Sequence, residues 1–157
     1  MERIKNRYEE FKKQHTKEFD KLPMKVAFGQ KQFEEMLEGW GLTTSDEDLK
    51  KITSLLYGSG CYCLKKDAHL FSEYFKRIKE EQKEFLKNDK NLKDAFIYEF
   101  ANHECGYTYQ PQDALLALSL TYNEVMMNKR LHRVFKSAWR EYLTDYDKTN
   151  KHIREIY

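Results

Sequence analysis

Residues 96 to 116 read FIYEFANHECGYTYQPQDALL, and this stretch sets a glutamate and a histidine where a helix should bury hydrocarbon. At about 100° per residue, Leu92, Ala95, Phe96 and Phe100 define one face of a helix running from Asn91 to Cys105. Glu99 and His103 fall near the centre of that face rather than on its edge. They are four residues apart, so their side chains can touch. Burial of either alone is costly, so the two must be hydrogen-bonded to each other or to a neighbour, of which Asn102 is the nearest. Two roles stay open. Glu99, Asn102 and His103 can form a buried polar network that ties the helix end to the loop Gly106–Gln110. Alternatively they mark a ligand or catalytic site, because paired acid and base groups are enriched there.

The rest of the chain reads as mostly α (α+β), with about six to seven helices. Hydrophobic residues make up 40% and aromatics 15% of 157 residues, which suits one packed core despite 34% charged residues. Ile4, Tyr8, Phe11, His15 and then Phe19 or Leu22 mark a first helix that ends before Pro23. Met24–Phe28 and Tyr57–Leu64 are expected to pair as a small two-stranded hairpin. Between them, Gln30–Glu38 reads as a helix ending at Gly39. Thr44 with Glu47 reads as a capping box opening a short helix that carries Leu49 and Ile52. Asp67 to Lys87 is strongly amphipathic, with Leu70, Phe71, Tyr74, Phe75, Ile78, Phe85 and Leu86 inward and Glu73–Arg77 and Lys76–Glu80 as outward pairs. A mixed-charge tail follows from Thr144 to Tyr157.

Several function classes find no support. The net charge of +2 predicts no strong global attraction to nucleic acid or to an anionic membrane. No apolar run is long enough to span a bilayer, and the start MERIKNRYEEFKK lacks the apolar core of a signal peptide, so a cytoplasmic location is expected. The odd number of cysteines, three, does not suggest a disulfide framework. His103-Glu104 begins like the zinc-protease motif, but Tyr107 stands where its second histidine belongs. Cys61, Cys63, His103 and Cys105 offer four soft ligands, yet each pair has one intervening residue where structural zinc sites usually have about two to four. No metal or other cofactor is therefore expected.

One charge cluster stands out. Lys129, Arg130, Arg133, Lys136 and Arg140 lie together with no acidic residue among them, and all but Arg130 fall on a single stripe at i, i+4, i+7 and i+11. Leu131, Val134, Phe135, Ala138 and Tyr142 occupy the opposite face. Such a ridge suits an acidic protein surface, or a nucleic-acid backbone. Upstream, Pro111–Leu118, a turn at Ser119-Leu120 and a capping box at Thr121 and Glu124 give the layout of a helix-turn-helix. Its second helix would begin TYNEVMMN, which carries no arginine or lysine.

The order Phe28-Gly29-Gln30-Lys31-Gln32-Phe33-Glu34-Glu35, a glycine turn before Lys65-Lys66-Asp67, then Tyr98-Glu99-Phe100-Ala101-Asn102-His103-Glu104 and Asp113-Ala114-Leu115 resembles a family of short uncharacterised proteins. Its members occur in bacteria, their phages and other mobile elements, and share a Tyr-Glu-x-x-Asn-His-Glu signature. The resemblance implies a shared site at Tyr98, Glu99, Asn102, His103 and Glu104 with no reaction assigned. This chain departs from the pattern at Gln110 and at Cys61 and Cys63. The resemblance covers roughly residues 24 to 145. It implies an N-terminal helical arm over 1–22, a helical core domain over 23–145 and a tail over 146–157.

Together these readings predict a non-enzymatic interaction protein that binds a host macromolecule, foremost a protein with an acidic surface, through the basic helix. Two alternatives stay open: a helix-turn-helix-like nucleic-acid-binding regulator, and a metal- or histidine-dependent enzyme centred on Glu99 and His103.

Overall fold

Helix-forming segments separated by capping residues and glycine turns order this chain, and the computed structural model describes residues 5–156 of it, with side chains through Lys151. In chain order the elements are α1 (Arg7–Phe19), β1 (Lys25–Val26), α2 (Gln30–Gly39), α3 (Asp46–Leu49), β2 (Ile52–Ser54) and β3 (Cys61–Leu64). A short 3-10 turn then leads into α4 (Ala68–Phe85), α5 (Asp89–Asn102), α6 (Cys105–Thr108), α7 (Gln112–Ala117), α8 (Tyr122–Met127) and α9 (Lys129–Ile156). The described residues are thus mostly α with a small antiparallel sheet, as the sequence predicts. Ile4 and Tyr157, read as part of the first helix and the tail, lie outside them.

The chain divides into two compact units, one up to Gln14 and from Glu81 onward, the other His15–Glu80. In the second unit, β3 is central and pairs antiparallel with β1 (Lys25 opposite Tyr62) and with β2 (Thr53 opposite Cys63). The expected pairing of the first and last strands is present, and β2 is an addition. The reason lies at Ile52, which the sequence reading gave to the short helix. That helix stops at Leu49, Ile52 enters a strand, and its buried side chain joins Ala27, Met36 and Leu37 in a small core. The cap of α3 is Ser45 rather than Thr44: its hydroxyl accepts the Asp48 N–H at 3.3 Å.

Helix α2 runs one residue further than expected. Its left-handed terminal residue is Gly41 (φ 70°), with the Leu42 N–H donating back to the Leu37 carbonyl and the Gly41 N–H to Glu38. On α4, Phe71 and Tyr74 are buried, and the Tyr74 hydroxyl donates to the His15 carbonyl at 2.6 Å. Phe75 is 52% exposed, against the expectation that it faces inward, and touches Phe19 and Tyr74 at the rim of this cluster. Arg77 reaches Glu18 at 2.6 Å.

The first unit is built around α5 and α9. Leu92, Ala95, Phe96 and Phe100 of α5 are buried with Val134, Phe135 and Ala138 of α9, joined by Leu115 of α7, Leu118 just past its end and Val125 of α8. Phe100 meets Phe135 and Trp139 edge-on, at centroid separations of 5.6 and 5.0 Å, the geometry that aromatic quadrupoles favour. Asn88 caps α5 by accepting the Lys90 and Asn91 N–H groups. Thr121 and Glu124 close the expected capping box on α8. The segment after α5, read as a loop, contains the single turn α6, bracketed by left-handed Glu104 (φ 51°) and Tyr109 (φ 56°).

Helix α6 sits against α9 because residue 106 has no side chain. The Gly106 N–H donates to the Tyr142 hydroxyl at 3.0 Å, and a Cβ at this position would lie 2.5 Å from the Tyr146 ring. Gly106→Ala is therefore expected to destabilise the fold by about 1–3 kcal/mol through overpacking. Urea unfolding measures the loss, and Tyr146→Ser in the same chain should recover most of it.

Candidate functional site

The signature residues of α5 assemble around one buried carboxylate. Glu99 is 1% exposed and lies among Phe96, Phe100 and the rest of the α5 core. Its Oε1 accepts from the Lys12 ammonium at 3.3 Å, and its Oε2 from the Asn102 amide at 3.3 Å. His103 Nε2 is also 3.3 Å from Oε2. The Tyr8 phenol lies beside the same carboxylate, and burial together with this negative neighbour pushes it well above its ordinary range. Lys12, a half-buried residue, also lies over the rings of Tyr8 and Tyr98, 5.6 and 5.2 Å from their centroids.

The sequence-predicted residues thus fall into different environments. Glu99 is buried, Tyr98 and His103 are half-buried, and Asn102 and Glu104 are exposed. Glu99, Asn102 and His103 come together, whereas Glu104 starts α6 with its backbone carbonyl accepting from Tyr107 and Thr108. The turn itself is held from elsewhere, by Tyr142 on Gly106 and by the Cys105 thiol donating to the Gln110 carbonyl at 3.3 Å. Glu99 turns instead toward α1. Tyr8 and Lys12, spaced one helical turn apart, are the partners that sequence reasoning missed. Their spacing was legible, but not which carboxylate they would meet.

Cys61 and Cys63 belong to the second unit and His103 and Cys105 to the first. Among the described residues no group of three or more His, Cys, Asp or Glu side chains is placed to hold a metal ion. Burial pushes the Cys63 and Cys105 thiols up, away from the reactive thiolate form.

The basic cluster lies where the stripe predicts, on the outward face of α9, but its members are not equivalent. Arg130 donates to Asp89 at 2.7 Å and to the Leu86 and Lys87 carbonyls just past the end of α4. It is a structural clasp between that chain segment and α9. Arg133 reaches the other Asp89 oxygen at 2.7 Å and is otherwise well exposed. Lys129, Lys136 and Arg140 are exposed, and among the described residues no carboxylate lies within ion-pair distance of them. Two open grooves flank this stripe. One is lined by Met126, Met127, Lys129, His132, Arg133 and Lys136, and the other includes Lys93, Lys136, Arg140 and Thr144.

Removing the buried carboxylate with Glu99→Ala leaves Lys12 and the Asn102 amide short of an acceptor. The expected cost is about 1–3 kcal/mol, reduced from that of a fully buried pair because Lys12 reaches solvent. Chemical denaturation measures it, and Lys12→Met, which strips the cation from a carboxylate that stays buried, should cost at least as much. The Arg130 hydrogen bond, followed by the charges of both arginines, holds the Asp89 carboxyl below its ordinary range. The stability contributed by Asp89 is therefore present above the unfolded carboxylate pKa of about 4 and lost as the pH falls through its lower folded value. Asp89→Asn should flatten that part of the acid-unfolding profile, read by circular dichroism against pH.

Neither a curated protein nor a solved structure matches the chain. A family model, described as a family of unknown function, does match, over residues 7–141. The matched span starts with α1, contains the whole α5 signature and stops within α9. On that match, the chain belongs to the DUF7659 family.

Proposed function

We propose that this chain is a non-enzymatic interaction protein that binds an acidic surface of a protein partner through the outward face of α9. In the setting that the sequence resemblance implies, that partner is a macromolecule of a bacterial host. The observation that carries the reading is the contrast along one helix. Arg130 is consumed by Asp89 and two backbone carbonyls, while Lys129, Lys136 and Arg140 stand exposed on a straight stripe with no carboxylate partner among the described residues. From Lys129 to Arg140 the stripe spans about 16 Å at the helical rise per residue, which exceeds the Debye length of about 8 Å at physiological salt. An extended acidic surface is the complement that can engage all three charges at once.

The alternatives draw less support. As a reading helix, α8 has six residues, its only charged side chain is Glu124, and that carboxylate is committed to the Thr121 cap. Around Glu99 both carboxylate oxygens already meet protein groups, which is the pattern of a satisfied core carboxylate.

The test is capture from a lysate of the source organism by the tagged chain, before and after nuclease treatment. A specific protein retained after nuclease, and released by rising salt, is the expected result. The charge reversals Lys129→Glu, Lys136→Glu and Arg140→Glu together should abolish capture while changing stability by no more than about 0.5 kcal/mol each, as exposed positions do. Capture that survives in the folded triple variant contradicts the ridge. Loss with nuclease transfers the reading to nucleic acid.

A further inference from the structure

The groove at the start of α9 combines two chemistries that a flat acidic surface would not use. Its volume is about 450 Å³, within the range of about 300–1,000 Å³ typical of ligand sites. Met126 and Met127 supply apolar wall, and Met127 is 78% exposed. Lys129, His132, Arg133 and Lys136 line the same groove at i, i+3, i+4 and i+7, one continuous face of α9. The Nδ1 atom of His132 is buried and has no hydrogen-bond partner among the described residues. Isolated exposed methionines are ordinary. An exposed Met127 beside a half-buried Met126, in a groove walled by cations, forms a surface that can repack around an apolar side chain while holding anions at its rim.

We propose that this groove docks a short acidic peptide segment of the partner, with one bulky apolar side chain seated against Met126 and Met127 and flanking carboxylates meeting Lys129 and Lys136. The inference rests on the ridge reading above and narrows its partner from an acidic surface to an acidic linear segment. The charge complementarity selects acid; the methionines select the apolar anchor. Since α9 is docked into the core by its opposite face, the groove is presented on a fixed element and binding needs no rearrangement of α9 itself.

The experiment is selection of random dodecamer peptides displayed against the full chain, followed by fluorescence-polarisation titration of the enriched sequences. The expected result is enrichment of acidic peptides with a bulky apolar residue at a fixed place. Replacing that residue by serine should weaken binding at least tenfold, about 1.4 kcal/mol. Met127→Ser should weaken the parent peptide by a similar factor, Met127→Leu should retain it, and both variants should keep the parental melting curve.

Three results overturn the inference. Acidic peptides enriched without a fixed apolar residue, and indifferent to Met127→Ser, remove the groove but leave the ridge standing. Absence of acidic enrichment removes both. Binding of single-stranded or duplex oligonucleotides, with no peptide enriched, replaces the proposed partner by nucleic acid.

Discussion

The first unit depends on how one carboxylate is satisfied inside an aromatic core. Glu99 is packed among Leu92, Ala95, Phe96 and Phe100, where an unpartnered acid would carry a desolvation penalty large against the marginal stability of a domain. Four neighbours remove that penalty: Lys12, Tyr8, Asn102 and His103. Two of them come from α1, so the requirement to satisfy Glu99 selects one register for that helix against α5. Asp94 fixes the same register a little over one turn away: its carbonyl accepts from the Asn6 side chain, and its carboxylate accepts from the Arg7 N–H at 2.8 Å. A hydrocarbon residue at position 99 could pack there, but it would tolerate neighbouring registers that the polar cluster penalises.

Helix α9 divides labour between its faces. Phe135, Ala138, Trp139 and Tyr142 pack on α5, and Tyr142 and Tyr146 clamp the turn α6 through Gly106. This leaves the outward stripe free of structural duty except at Arg133, which joins Arg130 beside it on Asp89, while Arg130 also clasps the chain between α4 and α5. Separation of the two faces is what allows a charged surface to be altered without loss of fold, and a buried network to be altered without direct loss of a contact surface.

Much of this was legible in the sequence wherever a side chain's neighbours were close in the chain. The period of α5 put Glu99 in the core and set it beside Asn102 and His103. Thr121 and Glu124 announced their cap, and the spacing of Lys129, Arg133, Lys136 and Arg140 announced a stripe. What escaped depended on distant partners. Lys12 and Tyr8 meet a carboxylate more than eighty residues away, and Asp89 quenches two arginines of the basic cluster from over forty residues upstream. The strand at Ile52 was hidden because an apolar residue four positions or fewer from a helix reads equally well as its continuation. The turn α6 was hidden because its stability comes from Tyr142 and Tyr146, not from propensity at Cys105–Thr108. The groove beside Met127 was invisible for a related reason: it forms only where the end of α8 meets the start of α9.

On the proposed function, the working surface is the outward face of α9 and the Glu99 cluster is internal support. Backbone amide chemical shifts of the isotopically labelled chain, titrated with its captured partner, test this most directly. Perturbations concentrated between Met126 and Arg140, with those of Tyr98 to Gln110 small, are the expected result. Perturbations centred on Glu99, His103 and the α6 turn, with the α9 stripe silent, would contradict it.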